Sequence, residues 1–96
     1  METEYVLQKL EEIKHPAIDY SLIKLGILTD IRLENNTLKA VFAFPFPNIP
    51  IAEQLISSVA IKAKGMNLVF NYTTRVMNQE ERERFLQLEG EAWKGL

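Results

Sequence analysis

The sequence predicts an α+β domain with element order α-β-β-α-β-α, in which a three-stranded mixed sheet carries helices packed on it. Three observations lead there. Apolar spacing switches from helical to alternating at Ile27, returns to helical after Pro50, and alternates again from Leu68. Asn35-Asn36 lies between two alternating stretches and supplies two residues tolerant of positive φ, the chemistry of a type I′ hairpin turn. A helical stretch then separates this hairpin from the last strand, and a strand–helix–strand passage favours right-handed parallel pairing.

Taken in order, Thr3 is placed to cap a first helix in which Val6, Leu7, Leu10 and Ile13 recur on one face, with Glu4, Lys9, Glu11 and Glu12 on the other. Pro16 ends it by biasing His15 out of the helical region. A turn-rich passage follows and closes at Gly26. The first strand directs Ile27, Thr29, Ile31 and Leu33 one way and Asp30, Arg32 and Glu34 the other, which leaves Asp30 to pair with Lys39 across the hairpin. The second strand alternates Leu38, Ala40, Phe42 and Phe44 against Lys39, Val41 and Ala43.

In the second helix Pro50 suits the first turn, Gly65 the stop, and Ile51, Leu55, Ile56, Val59 and Ala63 the buried stripe. Leu68, Phe70 and Tyr72 alternate in the third strand against Asn67, Val69 and Asn71. A final helix over about 78–94 starts on a capping box of Asn78 and Glu81. It lines up Phe85, Leu88, Ala92 and Leu96, allows a Glu80–Arg84 pair, and is weakened at Gly90 by ~1 kcal/mol relative to alanine.

Bulk properties narrow the function. Residues 1–96 are expected to form a single domain, since 47% hydrophobic composition fills one modest core. A net charge of −2 and a pI near 5.4 provide no basic field for nucleic acid. Apolar runs are too short for a membrane span, which needs about 20 residues. The acidic, periodic start is unlike a secretory signal, so the expected location is cytoplasmic. With no cysteine, thiolate nucleophiles, zinc–thiolate sites and cysteine-ligated clusters are excluded from this chain. No metal, cofactor or catalytic group is expected.

One stretch stands apart. "FAFPFPNIP", Phe42 to Pro50, holds three of the five phenylalanines and three of the four prolines. Phe42 and Phe44 read as core strand residues, and the prolines stiffen a strand-to-helix corner. Phe46, between two prolines, reads equally as a packed residue or as a docking knob. With Asn48, Ile49 and Ile51 it makes an apolar corner suited to a partner protein, and Trp93 is a second candidate anchor.

The stretch "IKHPAIDYSLIKLGILTDIRLENNTLKAVFAFPFPNIPIAEQLISSV" resembles the small domain of metal–sulfur cluster biosynthesis proteins, which include SufT, the PaaD-type proteins and the N-terminal domain of Mrp-type ATPases. The resemblance covers about residues 5–75. Leu25, Gly26, Asp30 and Ile31 stand where the family pattern wants them, Pro16 matches the proline of its Asp-Pro-Glu motif, and Pro47 and Pro50 match the prolines flanking its reactive cysteine. At the position of that cysteine this chain has Ile49; Pro45 replaces a threonine, Lys24 an acidic residue, and His15-Pro16-Ala17 the Asp-Pro-Glu motif. The resemblance therefore implies the scaffold without the thiolate chemistry. It also implies the partners: cluster-assembly or cluster-recipient proteins, or an Mrp-type P-loop ATPase. No P-loop motif is present, and the exit after the third strand is more like that of an Mrp-type N-terminal domain.

Two other readings stay open on the residues alone. His15, the sole histidine, with Asp19 and Lys24 around the Leu25-Gly26 turn, would make a small-molecule site or an enzyme. A structural homodimer built through an edge strand or the apolar corner is the other.

Overall fold

The computed structural model describes residues 3–94. Its elements run α1 (Thr3–Glu11), β1 (Leu28–Glu34), β2 (Thr37–Phe44), α2 (Ala52–Gly65), β3 (Val69–Val76) and α3 (Gln79–Ala92), the predicted order. The strands lie β1-β2-β3, with β1 antiparallel and β3 parallel to β2. Asn35 and Asn36 take φ of 47° and 65°, as a type I′ turn requires, and Gly26 makes its turn at φ 79°. No helix among the described residues is long and apolar enough to cross a membrane.

One sheet face builds the core. Leu38, Ala40, Phe42 and Phe44 of β2 are buried with Val6 and Leu10 of α1, Leu55, Val59 and Ala63 of α2, and Phe85 and Leu88 of α3. Phe42 is its centre: it stacks on Phe44 at 6.0 Å and meets the edges of Phe70 at 6.2 Å and Tyr72 at 5.6 Å. Such ring pairs add about 0.5–1.5 kcal/mol each beyond area burial.

In β1 the phase of the alternation changes partway. Thr29 pairs with Val41 and Arg32 with Lys39, so two residues of β1 oppose one of β2 between them. The extra residue is Asp30, at φ 51°. A regular strand running on from buried Leu28 would aim Asp30 into the core; the bulge turns it out and brings Ile31 and Leu33 onto the inner face. Two expectations change accordingly. Leu28, not Thr29, faces inward, and Lys39 is bonded to Glu34 at 2.8 Å instead of to Asp30. Ala43, expected on the outer face, is buried where its N–H meets the Ile27 carbonyl.

Helix ends also differ in detail. Thr3 is the first residue of α1, not its cap, and the helix closes at Glu11, ahead of Pro16, by a tight turn in which Glu12 and Ile13 donate to the Lys9 and Leu10 carbonyls. Pro50 lies outside α2, whose N-cap is Ile51, with no side-chain cap bond. At the far end α2 stops at Gly65, as expected, and Asn67, at φ 60°, takes the left-handed position beyond it; Leu68 N–H bonds to the Ala63 carbonyl and Asn67 N–H to that of Lys64, a Schellman closure. In α3 the Asn78–Glu81 capping box forms. Glu80 and Arg84 make no ion pair among the described residues; instead Glu81 takes Arg75 in two 2.8 Å bonds, which hold its carboxyl down at about 2. Leu96, assigned to the buried face of α3, lies outside the described residues.

Candidate functional site

The proline corner forms because β2 must stop where Pro45 removes a ladder donor, and α2 starts only after Pro50. Asn48, at φ 58°, turns the chain between them. Pro45 is buried, whereas Phe46, Pro47 and Asn48 project into solvent. Beneath this loop is a pocket of about 180 Å³, lined by Phe44, Pro45, Phe46, Ile49, Ile51 and Leu55 on the corner side. His15, Ile27, Phe85 and Glu89 complete it from the other elements. A buried cavity of about 150 Å³ is enough to hold a benzene ring, so this one has the size to take an apolar side chain.

Phe46 is the exposed lip, at 45%. It is held from α3 by Arg82, whose guanidinium sits 5.7 Å from the ring centre while its Nε donates to the Pro45 carbonyl at 2.7 Å and its terminal nitrogen to that of Met77 at 3.2 Å. Of the residues singled out in the sequence, Phe46, Ile49 and Ile51 meet at this pocket, and His15 reaches it without Asp19 or Lys24. Asn48 shapes the loop without lining it. Trp93 is exposed and lines a separate open cleft with Glu89 and Gly90; Glu89 borders both. The backbone around Trp93 is tied to the loop after α1, through a bridge to Ile18 and the Lys94 N–H bonded to the Ala17 carbonyl.

His15, Asp19 and Lys24 are not brought together. His15 is buried, and its Nδ1 accepts the Ala17 N–H at 3.0 Å, which places the neutral ring's proton on Nε2. Burial, helped by the Lys94 charge, pushes its pKa down, so the ring is neutral near pH 7. Asp19 is bound to Lys14 at 3.0 Å on the surface, an interaction that lowers its carboxyl pKa. Lys24 lies over the Tyr20 ring at 5.6 Å. Ser58 bonds to the Gln54 carbonyl of its own helix. No group of three or more histidine, cysteine or acidic side chains is placed to hold a metal among the described residues.

Sequence reasoning missed Arg82 and Glu89, and set His15 by the Leu25-Gly26 turn instead of at the corner pocket. Arg82 sits in "NQEERERF", which reads as a solvated face, and only the position of Pro45 beside α3 makes it a corner residue. A buried histidine two residues before an amide it caps carries no periodic signal.

No protein-family model and no curated protein matches the chain. Among solved structures it is similar to the crystal structure of a domain of unknown function, DUF59, from Bacillus anthracis, with a TM-score of 0.61 and 20% identity over 88% of this chain and 89% of that one. At that identity the likeness speaks for the fold alone.

Proposed function

We propose that this domain is a non-catalytic interaction module related to iron–sulfur cluster assembly factors, which docks a partner protein through its strand-to-helix corner. The observation that carries the reading is the corner itself: Phe46 half-exposed over an apolar pocket, with Ile49 where the resembled family has its reactive cysteine. The DUF59 fold is that of the family shared by SufT, PaaD-type proteins and Mrp N-terminal domains, so fold and sequence resemblance point the same way. Lacking cysteine, the chain has no thiolate for a cluster, and a partner would provide the ligands. The partner class is a cluster-assembly or recipient protein, or an Mrp-type P-loop ATPase, met in the cytoplasm. Trp93, across Glu89 from the pocket, is the second anchor of this proposal.

The test is an anaerobic pull-down from the source cells with wild type and with the Phe46→Asp/Ile49→Asp variant, both checked for folding by circular dichroism. Identified partners would then be bound again as purified proteins. Direct binding by wild type, lost in the variant, supports the corner. Equal binding by both baits removes it.

A further inference from the structure

The two edges of the sheet are built differently. β1 is blunted by the Asp30 bulge and by Asp30, Arg32 and Glu34, the devices that keep an edge from pairing. β3 carries no bulge and one charge. Its eight residues, VFNYTTRV, contain no proline, glycine or lysine and a single charge, Arg75, and among the described residues it pairs with β2 alone. Val69, Tyr72 and Val76 are 61%, 46% and 44% exposed. Tyr72 and Val76 lie on the helix-bearing face, in register with Ala40 and Phe44, so the apolar layer continues to this edge and stops there uncovered.

The backbone fixes which groups are free. Val69 N–H bonds to the Asn36 carbonyl and Met77 N–H to that of Phe44, so the odd-numbered residues between them point their amides toward β2. Phe70, Tyr72, Thr74 and Val76 therefore present N–H and C=O outward.

We propose that β3 pairs antiparallel with β3 of a second copy of this chain, about a two-fold axis at Thr73, making one six-stranded sheet. This register sets Phe70 opposite Val76 and Tyr72 opposite Thr74 of the second copy, and uses every outward group of the strand in about eight hydrogen bonds. Sliding the axis to Tyr72 or Thr74 loses one of these pairs at an end. Cross-strand partners are then aromatic against β-branched on the helix-bearing face, and Arg75 against Asn71 on the other. The two Arg75 charges lie at opposite ends of the ladder. The strand is thus complementary to itself, which is the reason to name a second copy as occupant. The pairing does not depend on the corner.

The test measures mass by analytical ultracentrifugation over a dilution series, with circular dichroism as the check of fold. Thr74→Pro removes an outward N–H and leaves the ladder to β2 whole; Val76→Lys adds an edge charge. The expected result is a dimer for wild type and monomers for both variants, with native spectra. The register is read by a cysteine trap, since the chain has no other cysteine. Thr73 would face its own copy at about 4.5 Å between Cα atoms, inside the ~4.4–6.8 Å window of a disulfide. Thr73→Cys is expected to cross-link under mild oxidation, and Asn71→Cys to stay uncross-linked. A wild type that remains monomeric at millimolar concentration, a dimer that survives Thr74→Pro and Val76→Lys, or equal cross-linking of both cysteines would overturn the proposal, as would capture of a foreign strand at this edge by a protein that never self-associates.

Discussion

Replacing Arg82 with alanine removes the clamp that sets the corner. The guanidinium donates to the Pro45 and Met77 carbonyls and lies against Phe46. A charge-assisted bond to the carbonyl of buried Pro45 contributes roughly 1.5 kcal/mol, and contact with a half-exposed ring adds about 0.5 kcal/mol. The loss of about 2 kcal/mol corresponds to a fall in Tm of roughly 8–16 °C for a domain of this size. Lysine keeps the charge but not the fork, so Arg82→Lys is expected to recover less than half of it. Thermal unfolding followed by circular dichroism, for wild type and both variants, reads the difference. If Arg82→Ala melts within a degree or two of wild type, or Arg82→Lys is indistinguishable from wild type, the clamp is not what holds the corner.

Other outcomes follow from the same geometry. Phe42→Ala, which empties the centre of the ring cluster, is expected to cost about 4 kcal/mol in urea unfolding, whereas Phe46→Ala costs less than about 1 kcal/mol because the ring is already half in solvent. Asp30→Gly relieves a left-handed residue and is expected to stabilise by about 0.5–1 kcal/mol, while Asp30→Val destabilises; Tm of the pair checks both signs. Glu81 has a folded pKa of about 2 against an ordinary 4.5, so its contribution is whole above pH 4.5 and lost as pH falls toward 2. The pair is solvent-screened, so the slope amounts to about 1 kcal/mol, and Glu81→Gln flattens that stretch of a stability–pH profile.

What the sequence disclosed, and what it hid, follows from the range of the interactions. The hairpin was legible because Asn35-Asn36 and the alternation around it are local, and the capping box of α3 because its two bonds close within four residues. The Asp30 bulge was not, since a one-residue slip is decided by which neighbours Leu28 and Leu33 meet across the sheet. The end of α2 at Gly65 was legible, but not the residue that closes it: glycine and asparagine both accept the left-handed position, and the Leu68–Ala63 bond selects Asn67. At the corner, Phe46, Ile49 and Ile51 could be found from composition. Arg82, His15 and Glu89 lie 30 or more residues away in sequence, and only the fold brings His15 and Glu89 to the pocket and Arg82 to the Pro45 carbonyl.

The central claim is that the corner is where a partner sits. Hydrogen exchange of the domain, free and saturated with a partner identified by direct binding, tests it residue by residue. The account predicts new protection across 45–51 and the first turn of α2, with the Phe46→Asp/Ile49→Asp variant showing none. Protection confined to other surfaces, with residues 45–51 exchanging as in the free protein, would contradict it.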